Sequence, residues 1–242
     1  REIKSEAEIA RIRTACAIAG RAFAAVPGIA RAGRPLDAVF RDFQSALLAE
    51  GADWVSYVAG GAGQDGYGDV ISPADARPLA PGDVLMLDTG AVRDGYFCDF
   101  DRNWAIGPAS PAARRTHAAL WDATEAALDA LRPGMTAADA HGVLARAIEA
   151  SGHAVPPGRL GHGLGVTLTE WPSLTPLDET PLREGMVLTL EPSAEVSPGR
   201  ILVQEEVVVL RDTGPDLLSP RGARALPEIP LPDGSLPPEA AP

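Results

Sequence analysis

Apolar residues recur at helical spacing from the start of the chain, where Ile9, Ile12, Cys16, Ala19 and Phe23 follow one another three or four positions apart. Ser5 and Glu8 stand where a capping box would satisfy the first backbone N–H groups, so a helix is predicted from about Ser5. A second amphipathic helix is predicted from near Pro35 to Gly51. The period then shortens. Trp54 to Ala59 reads as a short strand, followed by the glycine-rich run Gly60 to Asp69, which predicts a flexible loop carrying Tyr67 and Asp69. That run has neither the lysine of a GxxxxGK[ST] loop nor a GxGxxG opening a helix, which argues against a phosphate cradle. Val84 to Val92 and Tyr96 to Ile106 are strand-like and are separated by Asp94-Gly95, a strong two-residue hairpin signal.

The second half of the chain repeats this plan. Pro111 to Leu131 and Thr136 to Gly152 form another predicted helix pair. The segment Pro181 to Glu191 then matches Pro78 to Asp88 at six of eleven positions with an offset of 103, and both copies end in a carboxylate. A duplicated helix-helix-strand-hairpin unit predicts an α+β fold, with helices covering one face of a curved antiparallel sheet. The folded domain is expected to span residues 1–225. Leu226 to Pro242, rich in proline and acid without periodicity, reads as a loosely packed or disordered tail.

The hairpin register brings the acids together. With a two-residue loop, paired residues have numbers summing to 189, which sets Asp88 opposite Asp101 and Asp99 opposite Gly90. Side chains alternate along a strand, so Asp88, Asp99 and Asp101 are expected on one face. Carboxylates so placed repel and raise one another's pKa unless a cation sits among them, and a metal is the simplest candidate.

Composition narrows the classes. A chain of 242 residues with 45% hydrophobic content builds a full core, and a formal net charge of -12 argues against nucleic acid or an anionic membrane as the main partner. No stretch reads as a transmembrane run or a signal peptide. Cys16 and Cys98 lack metal-type spacing and are expected as buried free thiols in a reducing, cytoplasmic setting.

Between the halves, Gly161-His162-Gly163-Leu164-Gly165 holds an imidazole in a loop whose glycines permit close backbone approach, and the second half adds Glu191, Glu205 and Glu206. Asp88 in LMLDTG, Asp99 in GYFCDFDRNW, His162 in GHGLG, Glu191 in LTLEPS and Glu205 in VQEEVVVL, in that order, resemble the M24 pita-bread metallohydrolases. That family includes methionine aminopeptidase, aminopeptidase P and prolidase, with the non-peptidase creatinase on the same fold. The similarity runs from Arg1 to about Ile229, and its opening resembles the start of the catalytic domain in prolidase-like members. The resemblance implies two divalent ions (manganese, cobalt, iron or zinc). Asp99 and Glu205 would bridge them, Asp88 would bind one ion, His162 and Glu191 the other, and Glu191 would also take a proton from the attacking water.

The chain departs from the family around the substrate. Members carry a histidine in the loop before the first ligand strand, where this chain has Asp69-Val70-Ile71-Ser72-Pro73, and another seven residues after the GHG histidine, where it has Thr169. Asp101 replaces a threonine common after the second aspartate ligand. Tyr67, Asp69, Thr169 and Trp171 are therefore the candidate substrate contacts. The leading expectation is an Xaa-Pro peptidase-like hydrolase acting on a small or proline-containing peptide. A pita-bread enzyme with a non-peptide substrate, and a non-catalytic binding module, stay open as alternatives, as does a homodimer.

Overall fold

The structure, a computed structural model, describes residues 2–232. In chain order the elements are α1 (Glu6–Ala24), α2 (Val26–Ile29), α3 (Leu36–Ala49), β1 (Trp54–Gln64), β2 (Asp83–Arg93), β3 (Tyr96–Phe97), β4 (Phe100–Ile106), α4 (Pro111–Ala130) and α5 (Ala137–Ala150). They continue with β5 (His162–Gly163), β6 (Glu170–Ser173), β7 (Val187–Leu190), β8 (Ser193–Ser197), β9 (Arg200–Val203), β10 (Glu206–Arg211), β11 (Gly214–Leu217) and β12 (Glu228–Ile229). The Ser5/Glu8 capping box is present, with Ser5 N–H donating to the Glu8 carboxylate over 2.8 Å. Thr136 and Asp139 form the same device at the start of α5.

One five-stranded sheet runs β1-β2-β4-β12 with β3 also on β2, and a second runs β11-β10-β7-β5-β6. The α1–α3 and α4–α5 helix groups each pack with their own half, giving two apolar clusters, one built around Phe23, Phe43 and Phe100 and the other around Leu120, Leu144 and Leu188. The duplication is visible in the backbone hydrogen bonds. Gly33 and Gly134 donate to Leu79 and Leu182 over 2.7 and 2.8 Å, while Gly82 and Gly185 donate to Ile106 and Leu210 over 2.7 and 2.8 Å. Gly82 and Gly185 both occupy the left-handed region, at φ 86° and 82°. The fold is the expected α+β pita-bread arrangement, with its strands divided between two five-stranded sheets and a two-stranded β8-β9 ribbon.

Two sequence expectations change. The first half of the glycine-rich run is strand, because β1 continues to Gln64 in register with β2, Ala59 opposite Asp88 and Gly60 opposite Leu87. Glycine is required there: a Cβ on Gly60, at φ 135°, would stand 2.2 Å from the Met86 carbonyl oxygen. The packed chain also runs past residue 225. Leu226 and Ile229 are buried, and β12 pairs in parallel with β4, Glu228 beside Ala105 and Ile229 beside Ile106. Residues 233–242 of the expected tail lie outside the described residues. Glu6–Ile29 is long and apolar enough by composition for a membrane span. Here Ile9, Ile12, Ile18 and Phe23 are buried in the core while Arg11 and Arg13 face out, the pattern of a helix laid on a sheet.

Candidate metal centre

The Asp94-Gly95 turn has φ values of 51° and 78°, the paired positive angles of a type I′ hairpin, and it sets the expected register of Asp88 opposite Asp101. Between β3 and β4 the ladder is interrupted, and Asp99 sits in that gap beside the Cys98 N–H, which bonds Ala91. His162 comes from the first residue of β5. Its backbone N–H donates to Thr189 Oγ1 over 2.9 Å, and Nδ1 lies 2.8 Å from the Gly163 carbonyl oxygen. A carbonyl accepts only, so Nδ1 carries the proton, and Nε2 is left facing Asp99 at 3.1 Å and Glu191 at 3.0 Å. Gly161 makes this approach possible, since a Cβ there would meet the Thr189 carbonyl oxygen at 2.2 Å.

Glu191 follows the end of β7 and accepts from Thr189 Oγ1 at 2.6 Å. Glu205 precedes β10, and its N–H donates to Asp101 Oδ1 at 2.5 Å. The five side chains form two groups that share Asp99. Asp99, His162 and Glu191 make one, Asp88, Asp99 and Glu205 the other, and within each the ligand atoms lie within 4.8 Å of one another. The side chain of Asp101 takes a different place from the one expected. It stands across the ladder from Asp88, yet its carboxylate is spent on the Glu205 N–H and on Asn103 Nδ2 at 2.8 Å, behind the cavity. Glu206 likewise turns away, into Arg102 at 3.0 Å and Arg221 at 3.1 Å.

Burial, followed by the charges of Asp99 and Asp101, holds the Asp88 carboxyl well above the usual range. Burial raises Asp99 and Glu205 as well, and for Glu205 the neighbouring Asp88 and Glu191 charges add to it. Burial opposes charge on His162, but the Asp99 and Glu191 carboxylates prevail and push it up to about 10. Glu191 is held below the usual range: burial works against it, and the bonded His162 overcomes that. Among the described residues no arginine or lysine pairs with Asp88, Asp99, Glu191 or Glu205. Buried carboxylates that repel one another beside one oriented imidazole nitrogen fit a divalent cation, which would relieve the repulsion and take the Nε2 lone pair in place of its proton.

The cluster floors a cavity of about 580 Å³ lined on its apolar side by Val58, Val70, Ile71, Pro73, Phe97 and Leu168. Val70, Ile71 and Pro73 belong to the segment that stands where a histidine was expected by resemblance. Of the four proposed substrate contacts, Thr169 alone lines this cavity. Tyr67 is 1% exposed, donates to Asn103 Oδ1 at 3.1 Å, and receives the Val203 N–H at 2.6 Å, so it is a core residue joining the halves. Asp69 accepts from the Ile71 and Ser72 N–H groups and shapes its own turn. Trp171 is 66% exposed on edge strand β6. Sequence reasoning missed Arg159, which lines this cavity, and Tyr57, whose hydroxyl donates to Asp88 Oδ1 at 3.0 Å and also contacts Asp99 Oδ1. A register shift between Val55 and Val58 sets Tyr57 on the Asp88 face, and the bare Cα of Gly90 leaves room for its ring.

The sequence pattern of metallopeptidase family M24 matches residues 10–213. The chain belongs to that family. It is 33% identical over 222 residues to a probable dipeptidase PepE of Mycobacterium bovis, covering 88% of this chain and 57% of that protein. It is 28% identical over 216 residues to an Xaa-Pro dipeptidase of Pyrococcus horikoshii, covering 88% and 61%. The crystal structure of dipeptidase PepE from Mycobacterium ulcerans superposes with a TM-score of 0.89 at 33% identity over 96% of this chain and 62% of that one. Prolidase from Pyrococcus furiosus gives 0.86 at 27% identity over 92% and 66%. This M24 chain therefore spans less than two thirds of the length of these curated relatives.

Proposed function

We propose that this M24 chain carries the centre of a dinuclear metal-dependent peptidase acting on short peptides, with Xaa-Pro dipeptides as the leading substrate class. The observation that carries the reading is the convergence of Asp88, Asp99, His162, Glu191 and Glu205 into two groups sharing Asp99 at the floor of one cavity. In this proposal Asp99, shared by the two groups, would hold both ions, Asp88 and Glu205 would complete one site and His162 and Glu191 the other, and the family resemblance would have Glu205 contribute to both as well. Hard oxygen donors with one imidazole suit manganese, cobalt, iron or zinc. Bound there, such ions supply Lewis-acid polarisation of the scissile carbonyl and activation of water.

The remaining work falls to side chains of this chain. Glu191 accepts the proton of the attacking water, and Thr189 fixes its carboxylate for that task. Tyr57 holds the Asp88 and Asp99 oxygens in place. The apolar wall of Val70, Ile71, Phe97 and Leu168 suits a small ring such as proline. Arg159 is the one arginine or lysine among the cavity-lining residues and has no ion pair among the described residues, so it is placed for the free carboxylate of a dipeptide. A cytoplasmic setting accords with the two buried free cysteines.

The test is metal analysis coupled to a substrate panel. After reconstitution with manganese or cobalt, two ions per chain are expected, and Asp99→Ala loses both. Xaa-Pro dipeptides are cleaved, their C-terminal amides show a KM at least tenfold higher, and N-terminal methionine peptides are untouched. Zero metal at saturation would overturn the reading, whereas metal without peptide cleavage, together with turnover of a small cyclic amide, would replace it with the non-peptide alternative.

A further inference from the structure

The only lysine of the sequence, Lys4, is buried. It is 5% exposed, and its ammonium lies 2.8 Å from Glu170 Oε2, with side-chain exposures of 2% and 11% for the pair. A charge pair taken out of water is costly to assemble, so its position merits explanation. The two residues are 166 positions apart in the chain. Lys4 sits on the segment that enters α1, held to the second half by its N–H on the Gly185 carbonyl oxygen at 2.8 Å and by the Ile3–Met186 bridge. Glu170 closes the loop that leaves the metal centre. Its other oxygen, Oε1, accepts the Val166 N–H at 2.9 Å and the Thr167 N–H at 3.3 Å.

That loop carries two walls of the cavity, Leu168 and Thr169. Leu168 reaches over Gly90, where a Cβ would stand 2.9 Å from its Cδ1, and so lies against the strand that presents Asp88. At the other end of the loop the Gly165 carbonyl oxygen accepts from the Phe97 N–H at 3.0 Å. Within the loop the Glu170 carboxylate thus holds the Val166 and Thr167 amides, and the Lys4 ammonium holds that carboxylate.

We propose that the Lys4–Glu170 pair is a strap by which the segment ahead of α1 positions the Val166–Thr169 wall of the substrate cavity. Lys4 and Glu170 are positioning residues: neither lines the cavity itself. Because Lys4 lies on the chain entering α1, the start of the first half is tied to the substrate wall without touching the metal ligands.

The strap's assay rests on the peptide reading, but its structural half does not, and two measurements keep them apart. In Lys4→Met, hydrogen exchange at the Val166 and Thr167 amides should accelerate at least tenfold while amides of β7 keep their protection. With two ions still bound, KM for an Xaa-Pro dipeptide should rise at least tenfold and kcat should change less than threefold. The double variant Lys4→Met/Glu170→Leu separates positioning from stability. An apolar pair commonly restores stability lost with one member of a buried ion pair, yet it leaves the two loop N–H groups without their acceptor, so Tm should recover and KM should not. Unchanged exchange in Lys4→Met, or recovery of KM in step with Tm in the double variant, would overturn the strap. Absence of peptide turnover in the wild type would instead fault the peptide reading, with exchange still deciding the strap.

Discussion

His117 illustrates how a single position can be placed correctly on an element and wrongly in the molecule. Its helix, α4, is one of the predicted pair that covers a sheet, and a polar residue on such a helix ordinarily faces solvent. The side chain is instead buried at 4% exposure, with Nδ1 3.2 Å from the Arg224 carbonyl oxygen, in a small void behind the sheet that Asp101 and Gln204 also line. Burial pulls its pKa down to about 4 from 6.5. The sign follows from proton counting: below pH 6.5 the unfolded chain binds a proton that the folded chain refuses until about pH 4, so stability falls as pH falls through that window. Chemical denaturation at pH 7 and pH 4.5 should show this as a loss of roughly 1–3 kcal/mol beyond other groups. His117→Gln should flatten that slope while leaving kcat/KM at pH 7 within about threefold, since the residue does not line the metal cavity.

Strand β1 carries a similar lesson at the scale of an element. A glycine-rich segment suggests mobility, yet here the glycines let two strands close on one another where a side chain would collide with backbone. At Gly60 both constraints apply, φ of 135° and a Cβ position 2.2 Å from the Met86 carbonyl oxygen. Gly60→Ala should cost at least about 3 kcal/mol, more than a solvent-exposed loop glycine, because strain and a broken β1–β2 pairing coincide. Gly95→Ala, at the open hairpin turn with nothing near its Cβ position, should cost about 1–2 kcal/mol from the left-handed backbone alone. Comparing the two by urea denaturation tests whether β1 is structural. Equal losses would return the segment to the status of a loop.

The whole molecule is two copies of one unit closed around an acidic floor, and the floor opposes the closure. Asp88, Asp99 and Glu205 are all held above the usual carboxylate range by burial and by one another, so at neutral pH the cluster without cations disfavours the folded state. Ions that bind the folded chain alone shift unfolding by mass action, about 4 kcal/mol at a thousandfold excess over Kd. Chelation should therefore lower Tm by several degrees, and manganese should restore it. In His162→Ala both the restored Tm and the activity should be diminished, activity by at least about 100-fold. A Tm indifferent to chelator and metal would mean that the cluster binds no ion tightly.

Much of this was legible along the chain because it depends on local rules. The Ser5/Glu8 cap, the hairpin register through Asp94-Gly95 and the internal repeat follow from spacing, alternation and turn chemistry, which act between neighbours, whereas Asp88, Asp99, His162, Glu191 and Glu205 were legible as a set through their resemblance to the M24 motifs. What tertiary structure decided depends on which atoms meet across long separations. The β1 register shift turned Tyr57 toward Asp88 and Asp99, and no periodicity marks a one-residue shift in advance. Packing between the halves took Tyr67 into the core and turned Asp101 onto the Glu205 N–H. Lys4 found Glu170 only because the folded halves brought residue 4 beside a loop 166 positions away, where the cost of burying either charge alone leaves each with the other as its partner.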